Sequence, residues 1–193
     1  MRIIAGKYRS RVLKSSRGMK LRPTSDRLRE TLFNVLGPQA AGARFVDLYA
    51  GTGAVGIEAL SRGAAHAVFI EKHAPAAALI RQNLEALGVT TGATVLAVDA
   101  LRGLEMLAAR HAADPAWAAD IVFLDPPWAE EAEYASVLAY LGAANFLAPD
   151  ARVIVEHRKK LALPARSGKL RRTRLLEQGD AALSFYQLEA LSA

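Results

Sequence analysis

Between residues 44 and 157 the chain repeats one unit of strand, short turn and helix, and that alternation leaves few folds open. RFVDLY (44–49), AVFIEK (67–72), ATVLAVD (93–99), DIVFLD (120–125) and ARVIVEH (151–157) are short apolar runs that read as buried strands. GAVGIEALSRG (53–63), PAAALIRQNLEALG (75–88), LRGLEMLAARHA (101–112) and a stretch near 131–142 read as the intervening helices. Strands so joined lie parallel in one sheet with helices on both faces. Right-handed crossovers then make the fold a doubly wound α/β sheet. ALSFYQLEAL (182–191) reads as a last strand after a basic stretch. Upstream, RIIAGKYRSRVL (2–13) reads as a short hairpin around Gly6, and KSSRGMKLRP (14–23) as loop. TSDRLRETLFNVLG (24–37) reads as a helix with Thr24, Ser25 and Asp26 as cap types and Gly37 as its stop. The expected organisation is a small basic extension over 1–23 and one domain over 24–193.

In sheets of this kind ligands bind outside the carboxyl ends of the strands. That rule puts Asp47, Tyr49, Ala50, Gly51, Gly53, Glu71, Asp99 with Ala100, and Asp125 to Trp128 on one rim. Gly51-x-Gly53-x-x-Gly56 after a strand matches a nucleotide-binding turn, and Glu71 stands at the spacing that holds ribose hydroxyls. A diphosphate wants positive charge, whereas this crevice gathers three carboxylates, Asp47, Glu71 and Asp99. S-adenosylmethionine, with an ammonium and a sulfonium, suits them better. Glu71 would take the ribose and Asp99 with Ala100 the adenine edge. Plainer readings stay open: a purely structural turn, Asp99 as a helix cap, and Asp47 as a buried structural carboxylate.

The tetrapeptide Asp125-Pro126-Pro127-Trp128 closes a buried strand with a carboxylate, a stiff backbone and a large ring. The exocyclic nitrogen of a nucleobase is a poor nucleophile because its lone pair is delocalised. Acceptors around its two N–H bonds, the Asp125 carboxylate and the Pro126 carbonyl, would localise that pair. The prolines would hold the carbonyl ready, and Trp128 would stack on the flipped base. Neither a metal nor a covalent nucleophile is required. The alternative is a turn with Trp128 as a core anchor.

Charge is unevenly distributed: residues 1–29 carry +9, residues 30–151 carry −8 and residues 152–193 carry +5. Basic ends flanking an acidic middle suggest a polyanion partner. Arg2, Lys7, Arg9, Arg11, Arg22 and Arg27 are the phosphate-contact candidates, although basic ends also simply solubilise a chain. The longest apolar runs fall far short of the ~18 residues of a membrane span, and no secretory signal is read in MRIIAGKYRSR. The absence of cysteine excludes disulfides and thiolate chemistry, and a cytoplasmic monomer is the expectation.

VDLYAGTGAVGIEALSRGA and DIVFLDPPW resemble class I S-adenosylmethionine-dependent methyltransferases that act on exocyclic amines. RIIAGKYRSRVL and LRPTSDRLRETLFNVL resemble, more narrowly, the RsmD group of bacterial 16S ribosomal RNA guanine-N2 methyltransferases. The likeness runs from residue 2 to about 142 and more loosely through LSFYQLEAL. It implies a mostly parallel seven-stranded, Rossmann-like sheet with its last strand antiparallel, and an amino-terminal hairpin that helps hold RNA. It also implies a catalytic loop at Asp125, Pro126, Pro127 and Trp128, and cofactor positions at Gly51, Gly53, Glu71 and Asp99. The implied substrate is one guanine of 16S RNA in the small ribosomal subunit or its assembly intermediate. Trp128 departs from the Phe or Tyr more usual there. Related chemistry on adenine N6 or on a protein glutamine is the alternative. A nicotinamide oxidoreductase leaves the tetrapeptide without a role, and a non-catalytic RNA-binding module does not explain the acidic rim.

Overall fold

A computed structural model describes residues 1–15 and 25–189. Compact packing divides the chain into two units, Met1–Ala100 and Leu101–Ala193.

The first unit contains α1 (Asp26–Leu36), β1 (Arg44–Leu48), α2 (Ala54–Ser61), β2 (His66–Ile70), α3 (Ala74–Ala86) and β3 (Ala93–Leu96). Helix α1 starts where Ser25 Oγ accepts from the Leu28 amide at 3.1 Å, and it ends at Gly37 with φ of 54°. Thr24, also a cap candidate, lies outside the described residues. The three strands are parallel in the order β3-β2-β1, with Val46 opposite Val68 and Val68 opposite Thr94. The central residues of β1 and β2 are buried on both faces, which is why these two read as continuous apolar runs, whereas those of the edge strand β3 are only partly buried.

The amino-terminal segment doubles back on itself through one antiparallel bridge, Arg2 to Val12. The Ile3 amide donates to Arg11 O and the Leu13 amide to Met1 O, each at 3.0 Å. Ile3 and Leu13 are buried in one cluster with Ile57, Phe69 and Ile80, so this segment contributes to the core. Its course is set by close approach to α2. A Cβ on Gly6 would stand 1.8 Å from Ser61 O, to which the Lys7 amide donates at 2.7 Å. Glu58, fully buried on α2, receives the Ile4 amide at 2.8 Å, the Ala5 amide at 3.0 Å and Arg62 Nε at 2.7 Å. Arg29, equally buried, donates through Nη2 to Arg2 O at 2.6 Å and to Asp26 at 3.0 Å. Its Nε lies 3.7 Å from Glu58, and among the described residues Nε and Nη1 make no hydrogen bond.

The second unit contains α4 (Ala100–Ala113), β4 (Ala119–Leu124), α5 (Glu131–Ala143), β5 (Leu147–Arg158), β6 (Arg166–Ser167), β7 (Leu170–Gln178) and β8 (Ala181–Leu188). Strand order is β4-β5-β8-β7-β6; β4 and β5 are parallel, and β8 runs antiparallel to both neighbours. The described chain therefore has eight strands where seven were expected, and β6 and β7 both fall in the basic stretch before the last strand. Strand β7, LRRTRLLEQ, is mostly exposed and has only the two-residue β6 on its outer side. Charged side chains on such an edge oppose further strand pairing, and they also hide it from a hydrophobic pattern search. Where α5 meets β6 the backbones nearly touch. A Cβ on Gly142 would lie 2.1 Å from Ser167 O, and one on Gly168 would lie 2.5 Å from Gly142 O. No helix among the described residues is long and apolar enough to cross a membrane.

Removing Glu58 would leave the Ile4 and Ala5 amides without their acceptor and the buried Arg29 guanidinium with the half-exposed Asp26 as its remaining charge partner among the described residues. Glu58→Ala should cost about 3–5 kcal/mol, read as a lowered urea midpoint. Faster tryptic cleavage at Lys7 and Arg9 should accompany it.

Candidate active site

The carboxyl ends of β3, β2 and β1 share one edge of the first unit, because the strands are parallel. After Leu48 the chain enters a turn in which Tyr49, Gly51 and Gly53 take φ of 62°, 55° and 79°. Positive φ is costly for a bulky residue such as Tyr49, and strain of that kind gathers where function needs it. Gly53 caps α2, and a Cβ there would meet Ile80 at 3.1 Å. A Cβ on Gly51 would approach only Tyr49 O, at 3.9 Å, so a ligand can come close to this part of the turn. Gly56 serves packing instead: a Cβ would stand 2.3 Å from Phe69.

Side chains hold this turn from three directions. Asp47, 2% exposed, accepts the Gly56 amide at 2.8 Å and so secures the first turn of α2. Glu71, at the end of β2, accepts the Gly51 amide through Oε2 and the His73 amide through Oε1, each at 2.8 Å. Each carboxylate oxygen keeps further acceptor capacity, so Glu71 is fixed in place and still able to receive two hydroxyls. Asn83 on α3 donates to Thr52 O and to Lys14 O, each at 3.2 Å, and accepts the Lys14 amide at 2.8 Å. It links the turn to the amino-terminal segment. Asp99 is exposed on the loop after β3, and buried Ala100 begins α4. Asp47 therefore supports the turn from beneath, while Gly51, Glu71 and Asp99 occupy the strand ends. This donor set, an open glycine backbone beside an anchored carboxylate, suits an adenosyl group.

In the second unit β4 delivers Asp125, half-buried, then buried Pro126, exposed Pro127 and half-buried Trp128. The Pro127 carbonyl accepts the Glu130 amide at 2.8 Å, which ties the loop to the start of α5. Tyr134, 1% exposed, donates its hydroxyl to the Pro126 carbonyl at 3.2 Å. Arg158, at the end of β5, places its guanidinium 5.0 Å from the centre of the Trp128 ring. A flat group stacking on Trp128 must take the opposite face or displace that cation. Neither Tyr134 nor Arg158 was singled out from sequence. The available signal was an aromatic residue six positions after the tetrapeptide.

The basic candidates separate by position. Arg2, Arg9 and Arg27 line one groove of about 420 Å³ together with Asp26 and Glu30. Lys7 Nζ lies 5.1 Å from the centre of the Tyr8 ring, and Arg11 donates to Ala86 O at the end of α3 at 3.0 Å. Arg22 lies outside the described residues.

A family model described as Conserved hypothetical protein 95 matches residues 1–187. The chain is 35% identical over 187 residues to the putative rRNA methyltransferase YlbH of Bacillus subtilis, covering 97% of this chain and 98% of that one. It is 35% identical over 190 residues to the ribosomal RNA small subunit methyltransferase D of Escherichia coli K12, covering 98% and 91%. Among solved structures it resembles the putative methyltransferase yhhF from Escherichia coli, with a TM-score of 0.82, 35% identity and 99% of each chain covered.

Burial pushes the Asp47 carboxyl up from 3.8 to about 7; the Gly56 amide opposes the rise and the Glu71 charge adds to it. Between roughly pH 4 and pH 7 the folded chain holds a proton that the unfolded chain has released. This group's contribution to stability should decline as pH rises through that window and level off above it. Asp47→Asn should flatten that decline in urea unfolding measured across the window.

Proposed function

The chain belongs to the family described as Conserved hypothetical protein 95, and on that premise we propose that it moves a methyl group from S-adenosylmethionine to the exocyclic N2 amine of one guanine in 16S ribosomal RNA. The Asp125-Pro126-Pro127-Trp128 loop carries this reading, because its carboxylate, its held carbonyl and its aromatic face are what an exocyclic amine needs. The names of these relatives, rRNA methyltransferases, favour ribosomal RNA over DNA adenine or a protein glutamine. A ribosomal substrate, met as the small subunit or an intermediate of its assembly, supports a cytoplasmic address.

Two loops divide the work. At the first, Gly51 and Gly53 offer backbone to the cofactor, Glu71 receives the ribose hydroxyls, and Asp99 with Ala100 meets the adenine. The bound S-adenosylmethionine supplies an electrophilic sulfonium methyl. At the second, Trp128 stacks on the flipped guanine, a contact worth roughly 1–3 kcal/mol. Asp125 and the Pro126 carbonyl each accept one N–H of the amine. The nitrogen lone pair, no longer shared with the ring, would form the N–C bond as the methyl–sulfur bond breaks and its electron pair stays on the departing thioether, and Asp125 would take up the proton shed there. Arg2, Arg9 and Arg27 hold phosphates along their common groove and supply affinity without reading sequence.

The test is transfer of labelled methyl to small subunits and to naked 16S RNA, both from cells lacking the gene, followed by digestion and mapping. N2-methylguanosine at one position is the expected product; label on adenine, DNA or protein would overturn the substrate. Asp125→Ala should keep cofactor affinity and lower turnover by about 10²-fold or more. Reversing charge at Arg9 and Arg27 should weaken RNA binding and flatten its salt slope while sparing cofactor affinity, as read by calorimetry and filter binding.

A further inference from the structure

The peptide bonds Asp125–Pro126 and Pro126–Pro127 have no N–H, because each has a proline on its amide side. A peptide plane is normally held from both sides, through its N–H and its C=O. Here the carbonyl oxygen is the one polar handle available. The ring of Pro127 confines ψ of Pro126 to the extended region but leaves roughly 40° of spread. That spread swings the Pro126 oxygen through roughly 0.7 Å, given the C=O bond length. A misplacement of that order matters where an acceptor must meet one N–H of a reacting amine. The prolines stiffen the loop without aiming it.

The Tyr134 hydroxyl meets that need. It donates to the Pro126 oxygen at 3.2 Å from the first turn of α5, and its ring is 1% exposed, so the donor has little freedom of its own. The Glu130 amide holds the next carbonyl, that of Pro127, at 2.8 Å. A carbonyl oxygen has two lone pairs, so one bond from Tyr134 leaves the other for substrate. Burial, and then the charges of Asp125 and Glu156, push the Tyr134 hydroxyl well above the usual tyrosine range, so it stays a donor at working pH.

We propose that Tyr134 is a positioning residue for methyl transfer, acting by aiming the Pro126 carbonyl at the acceptor amine. The inference rests on the amine methyltransferase reading. Tyr134→Phe keeps the buried ring and removes the donor. Its single-turnover rate at saturating RNA and cofactor should fall about tenfold, while KM for both and the unfolding midpoint stay near the wild-type values. A rate within twofold of wild type, or a loss that tracks weakened cofactor binding, overturns the inference. If this variant fails to fold, difluorotyrosine at position 134 keeps the shape and ionises at lower pH. The alkaline limb of the rate should then move to lower pH, because a phenolate cannot donate to a carbonyl; an unmoved limb overturns the inference. An inactive wild type overturns the amine methyltransferase reading and this inference with it. An active wild type with an unaffected Tyr134→Phe overturns this inference alone.

Discussion

Glu58 sits at 0% exposure in the middle of an eight-residue helix, an expensive place for a charge. What offsets the cost comes from three separate parts of the chain: the Ile4 and Ala5 amides and Arg62 donate to the carboxylate, and the charge of the Arg29 guanidinium lies 3.7 Å from it. Each of these would otherwise need another solution. The two amides belong to a segment with a single strand bridge among the described residues, and there the buried Arg29 leaves Nε and Nη1 without a hydrogen bond. The carboxylate thus decides where residues 1–13 lie, and with them the groove that carries Arg2 and Arg9. Asn83 repeats the device further along, joining Lys14 to the carbonyl of Thr52 in the glycine turn.

The two loops assigned to chemistry are held by a common logic. In both, the working group is fixed by main-chain or buried polar contacts that leave acceptor capacity unused. Glu71 receives two amides and keeps room for two hydroxyls; the Pro126 carbonyl receives one hydroxyl and keeps room for one amine. Such preorganisation spares reorganisation at the moment of reaction. Asp47 shows the contrasting case. Its bond to the Gly56 amide and its raised pKa describe a carboxylate committed to the turn's architecture.

The strands were legible because burial on both faces leaves an unbroken apolar run, as in VFI of β2 and IVFL of β4. That Glu71, Asp99 and Asp125 stand at strand ends was legible because each follows closely on such a run. The glycine turn was legible from its spacing together with its place between a strand and a helix. What escaped depends on partners distant in sequence. Glu58 reads as an ordinary helix surface residue until Arg29 and Ile4 are seen beside it, and Asn83 likewise until Lys14 is. Tyr134 reads as one more apolar residue of α5, since its hydroxyl matters only through a carbonyl in the preceding loop. Arg11, read as a phosphate contact, also donates to a carbonyl at the end of α3, which the sequence does not announce. Strand β7 was hidden by its own charge.

The contact between Gly142 and Ser167 has a bearing on how this chain can vary. Lys169 donates to the Gly142 carbonyl at 2.9 Å, so the far end of α5 is fixed by backbone alone, in a place where no larger residue fits. Tyr134 fixes the near end. Helix α5 is therefore a ruler between two anchors: inserting or deleting one residue between Tyr134 and Gly142 would turn one end relative to the other by about 100° and shift it by about 1.5 Å. Exposed side chains along the ruler, such as Ala135, Ser136 and Ala139, are free to change. Its length is not.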